Sequence, residues 1–356
     1  MSTTINNLAL SRIKAIEPYR PPLDGRTAFF GDLLDFNERT TQWPAATIGD
    51  LRLNLYPEYF DLVANIARYV GSSPDSVMIT NGTDQAIDVI FRTFSDTGDS
   101  VVIPEPTFSM YQQYAHVNGC KIVTPLYMTA PFRYPTSAVV ETVKDAKIVV
   151  VCNPNNPTGT LVPNVEIRDL ASALPNTIIY VDEAYFEFSR HTAVGLIDKY
   201  PNIIVSRTFS KAFGLAGLRI GYLIANATHI REMLKVRGPY DVNAPAANAA
   251  AQVLALQSEV VAYSTEVMQN AKPLVEKFFA NSKISFHASA GNFILFEPVN
   301  AQRVAEVLRE NGVAVRAQTR PLVQNMLRVT IGTSQQMESF IDTYQSKVIG
   351  RDWAGR

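Results

Sequence analysis

Two cysteines in 356 residues, Cys120 and Cys152, are too few for a disulfide framework, and neither stands in metal-type spacing. A reducing, cytoplasmic setting is the expectation. The four histidines, His116, His191, His229 and His287, are scattered without an H-x-x-x-H pattern, so no metal site is expected. An excess of either charge is also missing. Lys and Arg number 32 against 33 Asp and Glu, a net charge of −1, which argues against the basic excess of a nucleic-acid binder. No run approaches the roughly 18 apolar residues of a membrane span. The first thirty residues carry Arg12, Lys14, Glu17 and Arg20 in place of the apolar core of a signal peptide. Internal repeats and low-complexity tracts are absent too. These absences leave a soluble protein with small-molecule substrates and no membrane or nucleic-acid partner.

What the chain does have is length and apolar content. At 356 residues and 47% hydrophobic composition it can form two domains with a large core. β-Branched apolar runs near 77–80, 100–103, 121–124, 147–152, 177–182, 202–206 and 220–224 predict seven strands. Helical patterns lie between several of them, at 61–70, 87–94 and 165–174. That alternation predicts an α/β domain with a mostly parallel sheet. After Pro245, helical stretches near 266–280, 302–310 and 335–345 mix with strands near 284, 292–296, 313–316 and 326–331, the pattern of a smaller α+β domain.

The chemistry concentrates where strands end. Ser206-Arg-Thr-Phe-Ser-Lys-Ala-Phe-Gly-Leu-Ala-Gly-Leu-Arg-Ile-Gly-Tyr222 sets Lys211 among hydroxyls and glycines, with Arg219 eight residues on. Thr208, Ser210 and Arg219 could hold a phosphate beside a carbonyl bound to Lys211, which is the requirement of pyridoxal 5′-phosphate. Alone, such a lysine reads equally as a loop residue. Asp182 closes the run Thr177-Ile-Ile-Tyr-Val181, at the strand end where open α/β sheets bind ligands. It could pair with a pyridinium nitrogen or merely cap a turn. Tyr185 is a candidate for the ring oxygen or a core aromatic. In Asn153-Pro-Asn-Asn-Pro-Thr-Gly159 two prolines stiffen the backbone, and Asn156 is the chosen donor to that oxygen. In Val77-Met-Ile-Thr-Asn-Gly-Thr-Asp-Gln-Ala-Ile-Asp88, Gly82, Thr83 and Asp84 would open a helix whose amino end favours phosphate, although Thr83-Asp84 can be a plain cap. Phe108, in the Pro-rich turn after 100–103, offers an aromatic face for stacking or for the core.

Taken in order, these elements resemble the fold-type I pyridoxal-phosphate-dependent aminotransferases. The lysine segment, Asn54-Leu-Tyr-Pro-Glu58 and Leu327-Arg-Val-Thr-Ile-Gly-Thr333 look like the histidinol-phosphate aminotransferase family, over about residues 19–332. The resemblance implies a large domain at 43–245 and a discontinuous small domain from 1–42 and 246–356, with an amino-terminal segment that closes over the substrate. It implies that Lys211 is the Schiff-base and proton-shuttling lysine and that Asp182 is the partner of the pyridinium. Tyr56 would reach across a homodimer interface to the partner's cofactor phosphate. Arg328 would grip the substrate's anionic group, with Tyr19, Asn37 and Asn156 around it.

Three departures bear on the transfer. Phe108 stands where relatives often carry Tyr, and Gln85 stands for a frequent Glu. Asn37-Glu-Arg-Thr-Thr41 stands where the family reads Asn-Glu-Asn-Pro-Tyr-Gly, in a loop bordering the substrate pocket. The implied reaction is transamination of a small amino substrate with a 2-oxo acid, histidinol phosphate with 2-oxoglutarate first. An aromatic or other amino acid is the alternative, as is a lyase such as one decarboxylating threonine phosphate, because the core residues serve both chemistries.

Overall fold

In a computed structural model of the chain, residues 12, 15, 29–41, 54–129, 131–142 and 145–350 are described. Their strands, in chain order, are β1 (Asp32–Leu33), β2 (Val77–Thr80), β3 (Ser100–Val102), β4 (Lys121–Val123), β5 (Ile148–Cys152), β6 (Ile178–Asp182), β7 (Ile203–Thr208), β8 (Gly221–Ala225), β9 (Ser285–His287), β10 (Phe293–Glu297), β11 (Val313–Ala314), β12 (Arg316–Ala317) and β13 (Leu327–Thr330).

The seven expected strands form one sheet in the order β2-β8-β7-β6-β5-β3-β4. Its pairings are parallel from β7 to β4, and β8 alone runs against both neighbours. β2, β3, β5, β6 and β7 therefore point their carboxyl ends to one edge. The middle strands are buried along their whole length because both faces are covered, and they open on apolar runs such as Ile203–Val205 before polar residues at the carboxyl ends. On one face Met78, Ile148, Val150, Tyr180, Ile204 and Leu223 pack under the helices Gly82–Phe94, Met110–Asn118 and Ala227–Val236. On the other, Val149, Val151, Ile179, Val181, Val205 and Ile224 meet the helices Phe60–Val70, Asn164–Ala173 and Ala244–Ala255.

A second, antiparallel sheet has the order β12-β13-β10-β9, with the helices Lys272–Asn281, Ala301–Glu310 and Ser334–Lys347 nearby in the chain. β1 pairs in parallel with β11, and Thr330 N–H donates to Leu34 O, so the segment before the large sheet is stitched to the segment after it. Two expectations need correction. The single strand foreseen at 313–316 is two, because β11 pairs with β1 while β12 pairs with β13, and the chain changes sheets between Ala314 and Arg316. The helix foreseen at 266–280 is π-helical over Glu266–Ala271 before the α-helix begins at Lys272, where Pro273 brings no N–H to the backbone ladder. No described helix is long and apolar enough to cross a membrane.

Candidate active site

The carboxyl edge of the large sheet opens on a cavity of about 790 Å³. Its wall contains Thr83, Asp84, Phe108, Asn156, Asp182, Tyr185, Thr208, Ser210, Lys211, Arg219 and Arg328. Residues from five separate strand ends and from β13 thus meet at one place.

Asp182 is the last residue of β6 and is buried. Its Oδ1 accepts from Ala184 N–H at 3.1 Å and its Oδ2 from the Tyr111 hydroxyl at 2.7 Å. Burial pushes its carboxyl up to about 6, against the pull of the Tyr111, Ser206 and Ala184 donors. Lys211 lies three residues past the end of β7 at Thr208, and its Nζ donates to Phe36 O at 2.7 Å. Desolvation, then the nearby Arg328 cation, lowers that amine to about 8. A lysine in this state is partly neutral near physiological pH, which a surface lysine is not.

Opposite, the helix Gly82–Phe94 turns its amino end toward the cavity with no side-chain cap hydrogen bond. Thr83 Oγ1 is buried there without a hydrogen-bond partner among the described residues. Arg219 spans the same corner, donating to Ser210 Oγ at 3.3 Å and to Asp84 Oδ2 at 3.1 Å. Gly82 stands behind the wall rather than in it. A Cβ there would lie 2.6 Å from Arg219 Nη2, and its φ of +72° suits glycine, so its part is to let the arginine close on the helix end. An unpartnered hydroxyl, free helical N–H groups and a guanidinium make this corner suited to a phosphate.

The Asn-Pro-Asn-Asn loop separates its two central amides. Asn155 is buried and committed to the loop, donating to Pro106 O and Thr158 Oγ1 and accepting from Thr107. Asn156 is left to face the cavity, where its Oδ1 accepts from Arg328 Nη1. Arg328 Nη2 donates to Asp35 O at 2.6 Å. Tyr185 is buried, and its hydroxyl accepts from Asn37 Nδ2 at 3.1 Å. Asn37, expected at the substrate, does not line the cavity. Its left-handed φ of 54° and its bonds with Thr330 fix it behind Tyr185. Tyr56 lies outside this chain's cavity, three-quarters exposed and stacked on Tyr240 at 4.3 Å. Tyr19 falls outside the described residues.

Geometry adds residues that the motifs did not. Tyr111, Arg316 and Arg320 line the cavity, and Arg320 also pairs with Glu105 and donates to Gln112 at 2.9 Å. Among the described residues the wall carries five cationic side chains, Lys211, Arg219, Arg316, Arg320 and Arg328, against the carboxylates of Asp35, Asp84 and Asp182. Such a cavity favours anionic ligands.

The family model for aminotransferase class I and II matches residues 38–343. The chain is 32% identical to the histidinol-phosphate aminotransferase of Ruminiclostridium cellulolyticum, with 92% of each chain covered. It is 34% identical to histidinol-phosphate aminotransferase 1 of Pasteurella multocida, covering 95% of this chain and 98% of that one. Among solved structures, that of histidinol-phosphate aminotransferase from Sinorhizobium meliloti in complex with pyridoxal 5′-phosphate is similar in fold. The TM-score is 0.86 at 23% identity, over 97% of this chain and 100% of that one.

Proposed function

The chain belongs to the aminotransferase class I and II family, and on that premise we propose that it uses pyridoxal 5′-phosphate to move an amino group from histidinol phosphate to 2-oxoglutarate. The observation that carries this reading is the shared cavity, which joins a lysine amine lowered to about 8, a buried strand-end carboxylate and an anion corner with an unpartnered hydroxyl.

The residues fit the cofactor. Thr83, Asp84, Thr208, Ser210 and Arg219 would hold its phosphate, Asp182 its ring nitrogen, Asn156 and Tyr185 its ring oxygen, and Phe108 its ring face. When bound, it supplies a carbonyl that captures an amine and a ring that withdraws electrons from the adjacent carbon. Lys211 then moves a proton to and from that carbon, a task for which an amine near neutrality suits both directions. Asp182 holds a proton on the ring nitrogen. Arg328 presents a planar fork that binds phosphate in one half-reaction and carboxylate in the other, so one cation serves donor and acceptor.

Residues 43–245 form the cofactor domain in this reading, with 1–42 and 246–356 forming the second domain, a division supported by the pairing of β1 with β11. The exposed Tyr56, beside the half-exposed Leu55 and Tyr240, supports a homodimer in which Tyr56 completes the partner's anion corner. The enzyme would work in the cytoplasm. Substrate identity is tested by kcat/KM for histidinol phosphate, histidinol and phenylalanine with 2-oxoglutarate. Removing the phosphate should cost at least about a hundredfold, the worth of the charge-assisted hydrogen bonds it would accept from Arg328. Phenylalanine equal to or better than histidinol phosphate would overturn the substrate and leave the aminotransferase standing.

A further inference from the structure

We propose that Tyr111 is a positioning residue for the cofactor, acting through Asp182: its hydroxyl holds the carboxylate ionised and oriented so that the carboxylate can keep the ring nitrogen protonated. The inference rests on the cofactor reading above and deepens it. Tyr111 lies in the first turn of the helix Met110–Asn118, three residues after Phe108, and is fully buried. Its hydroxyl reaches Asp182 Oδ2 at 2.7 Å, while the other oxygen is taken by Ala184 N–H. The ring is clamped edge-on by Phe108 at 5.7 Å and by Tyr180 at 6.0 Å. Tyr180 is itself hydrogen-bonded to Ser206 at 2.8 Å.

Two physical facts fix the direction of this bond. Burial, reinforced by the Asp182 charge, raises the phenol well above its usual value, so Tyr111 keeps its proton and can only donate to a carboxylate. Burial also drives Asp182 toward the neutral acid, and the first force that opposes this is the Tyr111 hydrogen bond. A neutral Asp182 would offer the ring nitrogen no charge. The other titratable groups facing Asp182 are Asp84, Cys152, Tyr180 and Tyr185. Asp84 raises the carboxyl, and burial pushes Cys152 and Tyr185 up to about 12, so none of these three replaces Tyr111. Tyr180 is likewise pushed well above its usual value and is turned to Ser206.

Two measurements separate this inference from the reading it rests on. The first uses cofactor-free protein in a double-mutant cycle of Tyr111→Phe and Asp182→Asn, with urea unfolding at pH 8 and pH 5. The coupling should be at least about tenfold in the unfolding constant at pH 8, as for a hydrogen bond to a charged acceptor, and should fall toward unity at pH 5, where the acid is neutral. Equal coupling at both pH values overturns the inference. The second binds pyridoxamine 5′-phosphate labelled with 15N in the ring and follows the nitrogen shift from pH 6 to 9. Wild type should show the shift of a protonated ring nitrogen across the range, and Tyr111→Phe should move it toward that of a neutral nitrogen, because the carboxylate that has lost its donor competes for the shared proton. Identical titrations overturn the inference alone. A wild type that does not bind the probe overturns the cofactor reading and this inference with it, while the cycle still judges the Tyr111–Asp182 bond. Should Tyr111→Phe not fold, 3-fluorotyrosine placed at 111, a stronger donor, must lower the pH at which the 13C-labelled Asp182 carboxyl titrates in cofactor-free protein, from its raised value of about 6. No movement overturns the inference.

Discussion

Replacing Arg207 by methionine should destabilise the cofactor-free protein by about 3–5 kcal/mol, because it leaves a carboxylate alone in the interior. Arg207 lies one residue before the end of β7, and Glu183 one residue after the end of β6. Their side chains are 2% and 0% exposed and meet at 2.9 Å. Burial is the largest single influence on the guanidinium and lowers its pKa, but Glu183 together with Tyr222, Glu187 and Tyr69 outweighs burial and holds the value above the usual one. Arg207 also donates to Thr192 Oγ1 at 2.7 Å and lies 3.4 Å over the Phe186 ring. Methionine keeps much of the aliphatic packing, so the expected loss is chiefly electrostatic. Glu183 would retain the Ala193 N–H at 2.6 Å and the Thr192 hydroxyl at 2.9 Å, two donors that leave the cost in the lower half of that range.

The assay is urea unfolding of cofactor-free protein at pH 7, read by fluorescence and circular dichroism, with the slope m compared as well as the midpoint. Glu183→Leu combined with Arg207→Met should recover part of the loss, since a matched apolar pair removes the unpaired charge. What it cannot recover is the acceptor for Ala193 and Thr192, roughly 1–3 kcal/mol. A single-variant loss under about 1 kcal/mol with unchanged m would refute the reasoning. The pair joins the strand ends that carry Asp182 and Thr208, so the single variant should also lower turnover.

Glu187 is buried, and desolvation raises it to about 7 despite Arg207. A carboxyl raised on folding binds more protons in the native state, so stability should fall as pH rises from its unfolded value of 4.5 to about 7, by at most about 3 kcal/mol. Glu187→Gln should flatten that decline in pH-dependent urea unfolding, and an unchanged slope counts against it. Thr83→Val should weaken pyridoxal-phosphate binding by about tenfold in fluorescence titration, the worth of one charge-assisted hydrogen bond. It should leave cofactor-free stability unaltered, because the buried hydroxyl bonds nothing among the described residues. Mixing Lys211→Ala with Tyr56→Ala subunits should restore activity through one intact site per heterodimer, and its absence under proven exchange removes the shared site.

Much of the fold was legible because the large sheet is covered on both faces. Burial on both sides favours apolar, β-branched runs such as Ile148–Val151 and Ile203–Val205, and such runs can be read without knowing their partners. The small sheet was harder. Val313–Ala314 and Arg316–Ala317 form one short polar-apolar stretch in sequence, and only pairing with β1 and β13 divides them. The change from π- to α-helix between Ala271 and Lys272 was marked by Pro273, a signal present in the sequence and passed over in the helical reading.

The site divides in the same way, according to whether a residue's role follows from its own segment or from a distant one. Lys211, Asp182, Thr83 and Asn156 each sit just past a strand or at its end, so a local motif and the carboxyl-edge rule bring them together. Tyr111 stood inside a segment already read for Phe108, but its partner lies 71 residues away, and nothing local distinguishes a tyrosine that donates to a carboxylate from one that fills the core. Arg320 is further still, 215 residues from Glu105, and joins the wall only because the β12–β13 turn crosses toward the helix after β3. Asn37 shows the converse case, since the resemblance set it at the substrate while its left-handed backbone and the Thr330 hydroxyl turn it to Tyr185. Local motifs therefore mark the strand-end groups of the cavity, whereas their hydrogen-bond partners, Tyr111 for Asp182 and Asn37 for Tyr185, are fixed by packing between segments far apart in the chain.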